Sequence, residues 1–362
     1  MTEYTRPFSE LRAADEPLFG GKSAGLGELL AAEIPVPPGF GVSVAAFECF
    51  VEESGLGERI ASALAEAASG ELAALERAAQ TIGEAIRDAP VPAAVRAEVE
   101  RRYRELGGTA GGSAACNGAT AKAATGAQPP VAVRSSAVGE DAAEATFAGQ
   151  QESYLWVRGP EQVCTALRDC WASLYSAPAI SYRLRLAGHA PRAAMGVAVQ
   201  LMVDAAAAGV MFTCSPVSGD PSVVAINASW GLGLAVVGGE VTPDEYLVSK
   251  VTRELVRERL GNKTVEYVPS PDGQGAARVP VAPERAAMRC LSEDQLAALV
   301  EIARRVERYF GCHQDIEWAL ARDGSLWFVQ SRPVTVAARR PQLVTAESAL
   351  SLVMRKFGAK VD

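Results

Sequence analysis

The chain contains very few histidines, and this limits the chemistry that it can support. Only two are present among 362 residues, His189 and His313. A zinc site built from three histidines is therefore excluded, and Ser-His or Cys-His catalysis would have to use one of these two residues. We expect both to be structural, because His189 lies in a loop after a basic helix and His313 precedes an apolar strand.

Membrane, export and disulfide signals are also missing. No apolar run is long enough to span a bilayer, and the first residues, MTEYTRPFSE, lack the hydrophobic segment of a signal peptide. The seven cysteines are scattered without a CxxC pair, which is typical of reduced thiols. A net charge of −8 argues against binding to nucleic acid or to an anionic membrane. We therefore predict a soluble cytoplasmic protein of more than one domain.

Two familiar phosphate-binding motifs are incomplete. The segment PLFGGKSAGLGELL, residues 17–30, ends its glycine run with GKS like a P-loop, but Glu16 stands where the P-loop requires its first glycine. The GLG that follows leads to Leu30, where a dinucleotide-binding turn requires a third glycine. What is present is a glycine-rich turn before a helix, with Lys22 at the start of that helix.

The periodicity of the chain predicts an α+β fold with two lobes. Residues 1–194 carry mostly helical apolar spacing and form a helix-rich first lobe. Within it, residues 107–130 are small and nearly uncharged, so we expect a flexible insertion there. Residues 195–338 contain short apolar runs bounded by Gly, Pro or Asp, which predict a mostly antiparallel second lobe. Residues 339–362 are predicted to be a helical tail.

The most informative segment is a predicted hairpin, QDIEWALA and SLWFVQSRP, joined by an Arg-Asp-Gly turn. Because strand side chains alternate between faces, Asp315 and Glu317 share one face, and Gln330 and Arg332 share one face. Carboxylate and amide oxygens suit Mg²⁺, and a guanidinium suits phosphate. An exposed sheet face with ordinary ion pairs is the alternative interpretation.

A second polar segment is VAVRSSAVGEDAAEATFAGQQES, residues 131–153. Arg134 stands near the end of an apolar strand and is followed by two serines, a combination that can hold an anion. Gly149 lies in a TFAGQ loop whose backbone N–H groups could approach phosphates. An ordinary strand–loop–strand unit is the alternative.

Together these motifs resemble the ATP-binding domain of the phosphoenolpyruvate synthase family, which includes pyruvate phosphate dikinase and rifampicin phosphotransferase. GGKSAGLGEL is similar to the GGKxxxLGEL opening of that family. VRSSAVGED with FAGQQE is similar to its VRSSATxED…SFAGQxE segment. AGVMFT, ASWGLG…VTPDEY and QDIEWA…VQSRP follow in the family order, so that the resemblance spans about residues 17–335.

The resemblance implies an ATP-grasp fold, with ATP and Mg²⁺ held between the two lobes. Lys22, Arg134 and Arg332 would contact phosphates and act in catalysis, and Glu317 and Gln330 would be the metal ligands. The residues implied in nucleotide binding are Lys22, Arg134, Gly149, Asp315, Glu317, Gln330 and Arg332.

The sequence departs from the family at two points. Leu234 stands where the family commonly has the acid of GLGE, and neither histidine lies in a phosphohistidine motif. We therefore expect one subunit of a split phosphotransferase that passes the β,γ-diphosphate of ATP to a histidine on a partner chain and releases AMP. Phenylphosphate synthase is similar in plan.

The small-molecule acceptor, whether phenol-like, pyruvate or another compound, would bind to the partner. A regulatory nucleotide-binding module and an ATP-grasp ligase are the alternatives. Formation of AMP would indicate the phosphotransferase, and formation of ADP would indicate a ligase. Formation of neither product would indicate a regulatory module.

Overall fold

A computed structural model describes residues 2–109, 128–137, 153–187 and 194–334. Its strands, in chain order, are β1 (Thr5–Pro7), β2 (Gly39–Val42), β3 (Val131–Ala137), β4 (Ser153–Val157), β5 (Met195–Leu201), β6 (Ala205–Phe212), β7 (Val223–Trp230), β8 (Asp244–Ser249), β9 (Leu255–Arg259), β10 (Val265–Pro269), β11 (Ala276–Pro280), β12 (Gln314–Ala321) and β13 (Leu326–Pro333).

The helices of the described residues are concentrated in the first half of the chain. They are α1 (Glu16–Phe19), α2 (Gly21–Ala31), α3 (Val44–Glu53), α4 (Leu56–Glu66), α5 (Leu72–Asp88), α6 (Ala93–Thr109), α7 (Pro160–Ser173), α8 (Ala177–Ala187), α9 (Leu234–Val237), α10 (Pro283–Ala286) and α11 (Glu293–Phe310). Three short 3-10 helices cover Phe8–Glu10, Ala13–Asp15 and Ala67–Ser69.

The strands form two larger sheets and one separate hairpin. The first sheet has the order β1-β2-β5-β3-β4, and the second has the order β13-β12-β6-β7-β8-β9. Strands β10 and β11 pair only with each other in the sheet order. All of the strand pairings in these sheets are antiparallel. The predicted α+β class is confirmed.

Each larger sheet has its own buried core. Helices α3 to α8 contribute buried residues to one cluster with β2, β3 and β5, in which the rings of Phe50 and Trp171 lie 4.9 Å apart. The second cluster joins α11 to β6, β7, β8, β12 and β13. Helix α11 buries one stripe because its apolar residues recur every three or four positions. Its start is fixed by a capping box between Ser292 and Gln295.

Helix α2 lies where the two sheets approach each other. Leu26 and Leu29 of this helix belong to the second cluster together with Phe328 of β13. The same helix contacts β3 and β5 of the first sheet. The segment that follows α2 is also tied to the second sheet, because the Phe328 backbone N–H donates to the Pro35 carbonyl over 2.9 Å. Helix α2 therefore connects the two sheets.

The sheet pairing differs from the predicted lobe division at one strand. Strand β5 lies in the middle of the first sheet, between β2 and β3, although it falls within residues 195–338, which the sequence predicts to form the second lobe. All seven residues of β5 are buried, so it carries no alternation that would indicate which sheet it joins. Most of the predicted insertion 107–130 and the predicted tail 339–362 lie outside the described residues.

Candidate functional site

The hairpin of β12 and β13 places the predicted polar residues opposite one another. Asp315 pairs with Arg332 and Glu317 pairs with Gln330 in the strand register. The connection turns at Gly324, whose φ of 87° lies in the left-handed region that glycine adopts at little cost. A register shift follows Glu317, so the regular ladder is interrupted next to this pair. These four residues, which were predicted to share strand faces, are thus also direct cross-strand neighbours.

Asp315 and Arg332 form an ion pair across the hairpin. The Nε and Nη2 atoms of Arg332 both lie 2.8 Å from Oδ2 of Asp315. The Asp315 side chain is largely buried, whereas that of Arg332 is 46% exposed. Asp315 thus orients an arginine that still has much of its surface open to a ligand.

Arg134 reaches from β3 of the first sheet to this hairpin of the second. Its Nη2 donates to Oε2 of Glu317 over 3.0 Å and to the side-chain oxygen of Gln330 over 2.7 Å. Its Nη1 donates to the backbone carbonyl of Val329 over 2.8 Å. Hydrogen bonds to a charged donor are among the stronger ones in proteins. One guanidinium therefore joins the two sheets and holds the two predicted metal ligands together.

Lys22 lies in the first turn of α2, next to the same strand. Its side chain is buried, with 7% of its surface exposed, and Nζ donates to the Ser135 carbonyl over 2.9 Å. Ser135 adjoins Arg134 in β3, so the ammonium and the guanidinium enter the same region from two elements. Lys22 and Arg134, which the resemblance implies as phosphate contacts, thus lie on neighbouring parts of α2 and β3.

A close backbone contact fixes the turn before Lys22. Gly20 has a φ of 79°, and a Cβ atom at this position would lie 1.9 Å from the Ser136 carbonyl oxygen. The Ser136 hydroxyl donates to the Phe19 carbonyl over 3.1 Å and accepts from the Ser23 N–H over 3.2 Å. The hydroxyl of Ser136, one of the two serines suggested by the sequence as anion ligands, holds the start of α2 against β3 in this structure.

The site carries a small excess of positive charge. Lys22, Arg134 and Arg332 supply three cations, and Asp315 and Glu317 supply two carboxylates, which leaves one positive charge among these five side chains. Most of them are at least partly shielded from water, which strengthens their interactions compared with exposed charges. Such a group suits a polyanion better than a neutral ligand.

The oxygen atoms of Glu317 and Gln330 fit a hard divalent cation. Both already face a cationic nitrogen, Nη2 of Arg134. Carboxylate and amide oxygens are ligands that Mg²⁺ accepts, and Mg²⁺ usually takes only one or two protein ligands together with substrate phosphates. In the described ranges, no group of three or more His, Cys, Asp or Glu side chains is arranged to hold a metal on its own.

Several other residues singled out from the sequence have different surroundings. Leu234 begins α9, which packs against β6, β7 and β10. Nδ1 of His313 lies 2.7 Å from Oε1 of Glu307, and Glu307 also accepts from Lys250, which supports a structural role for this histidine. Gly149 and His189 lie outside the described residues.

Two backbone acceptors of the site could not be predicted from the sequence, the carbonyls of Ser135 and Val329. Every residue type has a backbone carbonyl, so no side-chain pattern could have identified these two. The sequence also gave no indication of the role of Asp244 in the VTPDEY motif. This residue is completely buried beside Lys263. A buried ion pair is made by the fold and leaves no signature in local sequence.

Comparison with known proteins identifies the family of this chain. Residues 16–350 match the family described as pyruvate phosphate dikinase, AMP/ATP-binding domain. The probable phosphoenolpyruvate synthase of Methanothermobacter thermautotrophicus is 38% identical over 353 residues, covering 98% of this chain and 49% of that protein. The phosphoenolpyruvate synthase of Pyrococcus furiosus is 35% identical, covering 97% of this chain and 46% of that protein. The chain thus spans less than half the length of these relatives.

Solved structures give weaker matches. D-cycloserine synthetase DcsG has a TM-score of 0.28 and 11% identity, covering 86% of this chain and 61% of that one. D-alanyl-alanine synthetase A from Vibrio cholerae has a TM-score of 0.27 and 12% identity, covering 67% of this chain and 49% of that one.

In the described part of the chain, the helices are too short or too polar to cross a bilayer.

Proposed function

The chain belongs to the pyruvate phosphate dikinase AMP/ATP-binding domain family, and from that premise we propose that it binds Mg·ATP between its two sheets as the nucleotide-binding part of a phosphotransferase. The observation that carries this proposal is the convergence of Lys22 from α2, Arg134 from β3 and Arg332 from β13 on one region. Phosphoryl transfer depends mainly on positioning and on neutralising phosphate charge, which three cations from three elements can provide.

Each residue has a distinct role in this proposal. Arg332, oriented by Asp315, offers its exposed guanidinium to a phosphate, for which a planar fork is well suited. Lys22 acts as a point charge from α2, and Arg134 contacts a phosphate from β3. Glu317 and Gln330 would hold Mg²⁺, which supplies further charge neutralisation when it is bound with the nucleotide. The two-lobed arrangement of antiparallel sheets supports the ATP-grasp fold expected from the family.

The chemical step proposed is transfer to a histidine rather than to water. An imidazole nitrogen attacks the β-phosphorus, the bond from that phosphorus to the α,β-bridging oxygen breaks, and AMP leaves with that oxygen. We propose that the histidine belongs to a phosphohistidine domain on a separate chain. Water then takes the terminal phosphate of the diphosphohistidine as orthophosphate, and the phosphate that stays on the histidine passes to a small acceptor. The cations of this chain would stabilise the charge that develops on the phosphate oxygens. Water must be kept out until the partner docks.

Nucleotide binding is tested by calorimetry with Mg·ATP. We expect one nucleotide per chain for the wild type. Lys22→Ala should weaken binding by about 1–3 kcal/mol, the magnitude of a hydrogen bond to a charged group. Arg104→Ala is the matched control, because Arg104 lies on α6 with a 68% exposed side chain paired to Glu100. Equal affinities of the wild type and Lys22→Ala for Mg·ATP would contradict the proposed role of Lys22 in nucleotide binding.

The reaction is tested by measuring AMP and ADP chromatographically, with and without candidate partners that carry a phosphohistidine domain. We expect the chain alone to consume little ATP and the mixture to form AMP. Glu317→Gln should slow AMP formation about tenfold or more, equivalent to about 1.4 kcal/mol. ADP as the main product would indicate a ligase instead. Nucleotide binding without turnover with any partner would indicate a regulatory module.

A further inference from the structure

The guanidinium of Arg134 binds the same two side-chain oxygens that the proposed function assigns to Mg²⁺. Nη2 lies 3.0 Å from Oε2 of Glu317 and 2.7 Å from the side-chain oxygen of Gln330. A single cationic nitrogen therefore bridges the two ligand residues. A metal ion that binds both of these oxygens must compete with this nitrogen.

The competing arginine is held firmly in place. The other arm of the guanidinium donates to the Val329 carbonyl over 2.8 Å, so both arms of the planar fork are engaged with β13. Only 12% of the Arg134 side chain and 24% of the Glu317 side chain are exposed. At such shielded positions, water screens the interaction little, and removing one partner leaves the other charge poorly solvated.

The net charge of the surrounding side chains also opposes the binding of a free metal ion. The five charged side chains of the site carry one net positive charge, which disfavours the approach of a free divalent cation. A bound triphosphate changes both the net charge of the site and the hydrogen bonding of Arg134. It is strongly negative, and it offers oxygens that a guanidinium binds in a bidentate manner. Arg134 can then exchange Glu317 and Gln330 for a phosphate without losing a charged partner.

We propose that Arg134 keeps free divalent cations away from Glu317 and Gln330 until a nucleotide phosphate takes over its guanidinium. The proposal rests on the function proposed above. It predicts that metal and nucleotide binding are strongly coupled: the chain binds the metal as part of the metal–nucleotide complex and binds the metal alone only weakly. The coupling resides in a single side chain that changes partners between β13 and the ligand.

The test measures the binding of Mn²⁺ alone, followed by the loss of the electron paramagnetic resonance signal of the free ion. Arg134→Met removes the competing charge with an apolar side chain of similar length. We expect it to bind Mn²⁺ about tenfold or more tightly than the wild type, since a charged hydrogen-bonding competitor is removed. Arg134→Lys retains a positive charge without the fork, so we expect an intermediate affinity. Arg104→Met, at an exposed position of α6, should bind Mn²⁺ as the wild type does.

Calorimetry with Mg·ATP on the same proteins separates this inference from the proposed function. The inference predicts opposite changes in Arg134→Met: tighter Mn²⁺ alone and weaker Mg·ATP. A wild type that binds Mg·ATP, with Mn²⁺ affinity unchanged or lower in both Arg134 variants, overturns the inference and leaves the proposed function intact. A wild type that fails to bind Mg·ATP refutes the proposed function. A merely structural role for Arg134 would weaken both kinds of binding.

Discussion

Replacing Asp244 by alanine should destabilise the second lobe severely, because this completely buried carboxylate accepts hydrogen bonds from four groups. Oδ1 accepts hydrogen bonds from the Lys263 ammonium and, over 2.9 Å, from the Gly261 N–H. Oδ2 accepts from the Cys290 N–H over 2.9 Å and from the Tyr246 hydroxyl over 3.1 Å. The side chains of Asp244 and Lys263 are both 0% exposed. Asp244→Ala would leave a buried ammonium without its counter-charge.

The expected cost follows from this burial. Removing one partner of a buried ion pair typically costs about 3–5 kcal/mol, because the remaining charge is neither solvated nor paired. Denaturant unfolding measures this loss directly. The Cys290 thiol gives a local measurement, since burial, reinforced by the Asp244 carboxylate, raises its pKa and keeps it protonated. Easier local opening should accelerate Cys290 labelling by about a hundredfold or more, because each 1.4 kcal/mol corresponds to about a factor of ten.

Two further variants show whether the orphaned charge is the cause. Asp244→Ala combined with Lys263→Met removes both charges, and it should recover much of the lost stability because an apolar side chain replaces the stranded ammonium. Arg253→Ala breaks an exposed pair with Glu301 on the same lobe and should cost only about 0–1 kcal/mol. The reasoning is refuted if Asp244→Ala costs no more than Arg253→Ala.

Three further predictions concern the site and the thiols. Gly20→Ala should weaken Mg·ATP binding, measured by calorimetry, because its Cβ would lie 1.9 Å from the Ser136 carbonyl oxygen and shift the start of α2; unchanged affinity would contradict this geometry. Arg332→Lys should lower the AMP formation rate with a partner about tenfold, since an ammonium cannot reproduce the guanidinium fork, and a full rate would exclude bidentate binding. Burial raises the pKa of Cys164 to about 11, so its alkylation should be slow at pH 8 and accelerate towards pH 11. Exposed Cys312 is the control and should be alkylated at pH 8. Equally fast labelling of both thiols at pH 8 would contradict this prediction.

Local chemistry in the sequence was sufficient to predict the hairpin that carries four of the site residues. Alternation placed Asp315 with Glu317 and Gln330 with Arg332, and the Arg-Asp-Gly turn indicated where the chain reverses. The order of the motifs was sufficient to predict the family, which the comparison over residues 16–350 confirms. These features depend on neighbouring residues, so they can be read without knowing what packs against them.

Only the tertiary structure decided which distant elements meet. Arg134 and Gln330 are 196 positions apart, and their contact exists because the fold brings the Arg134 side chain of β3 within reach of β13. The all-buried strand β5 belongs to the first sheet through its hydrogen bonds to β2 and β3, although its apolar run would fit the centre of either sheet. Sheet membership and ion pairs between lobes are set by long-range packing and hydrogen bonding. Local periodicity determines the faces of a strand and not the partners of those faces.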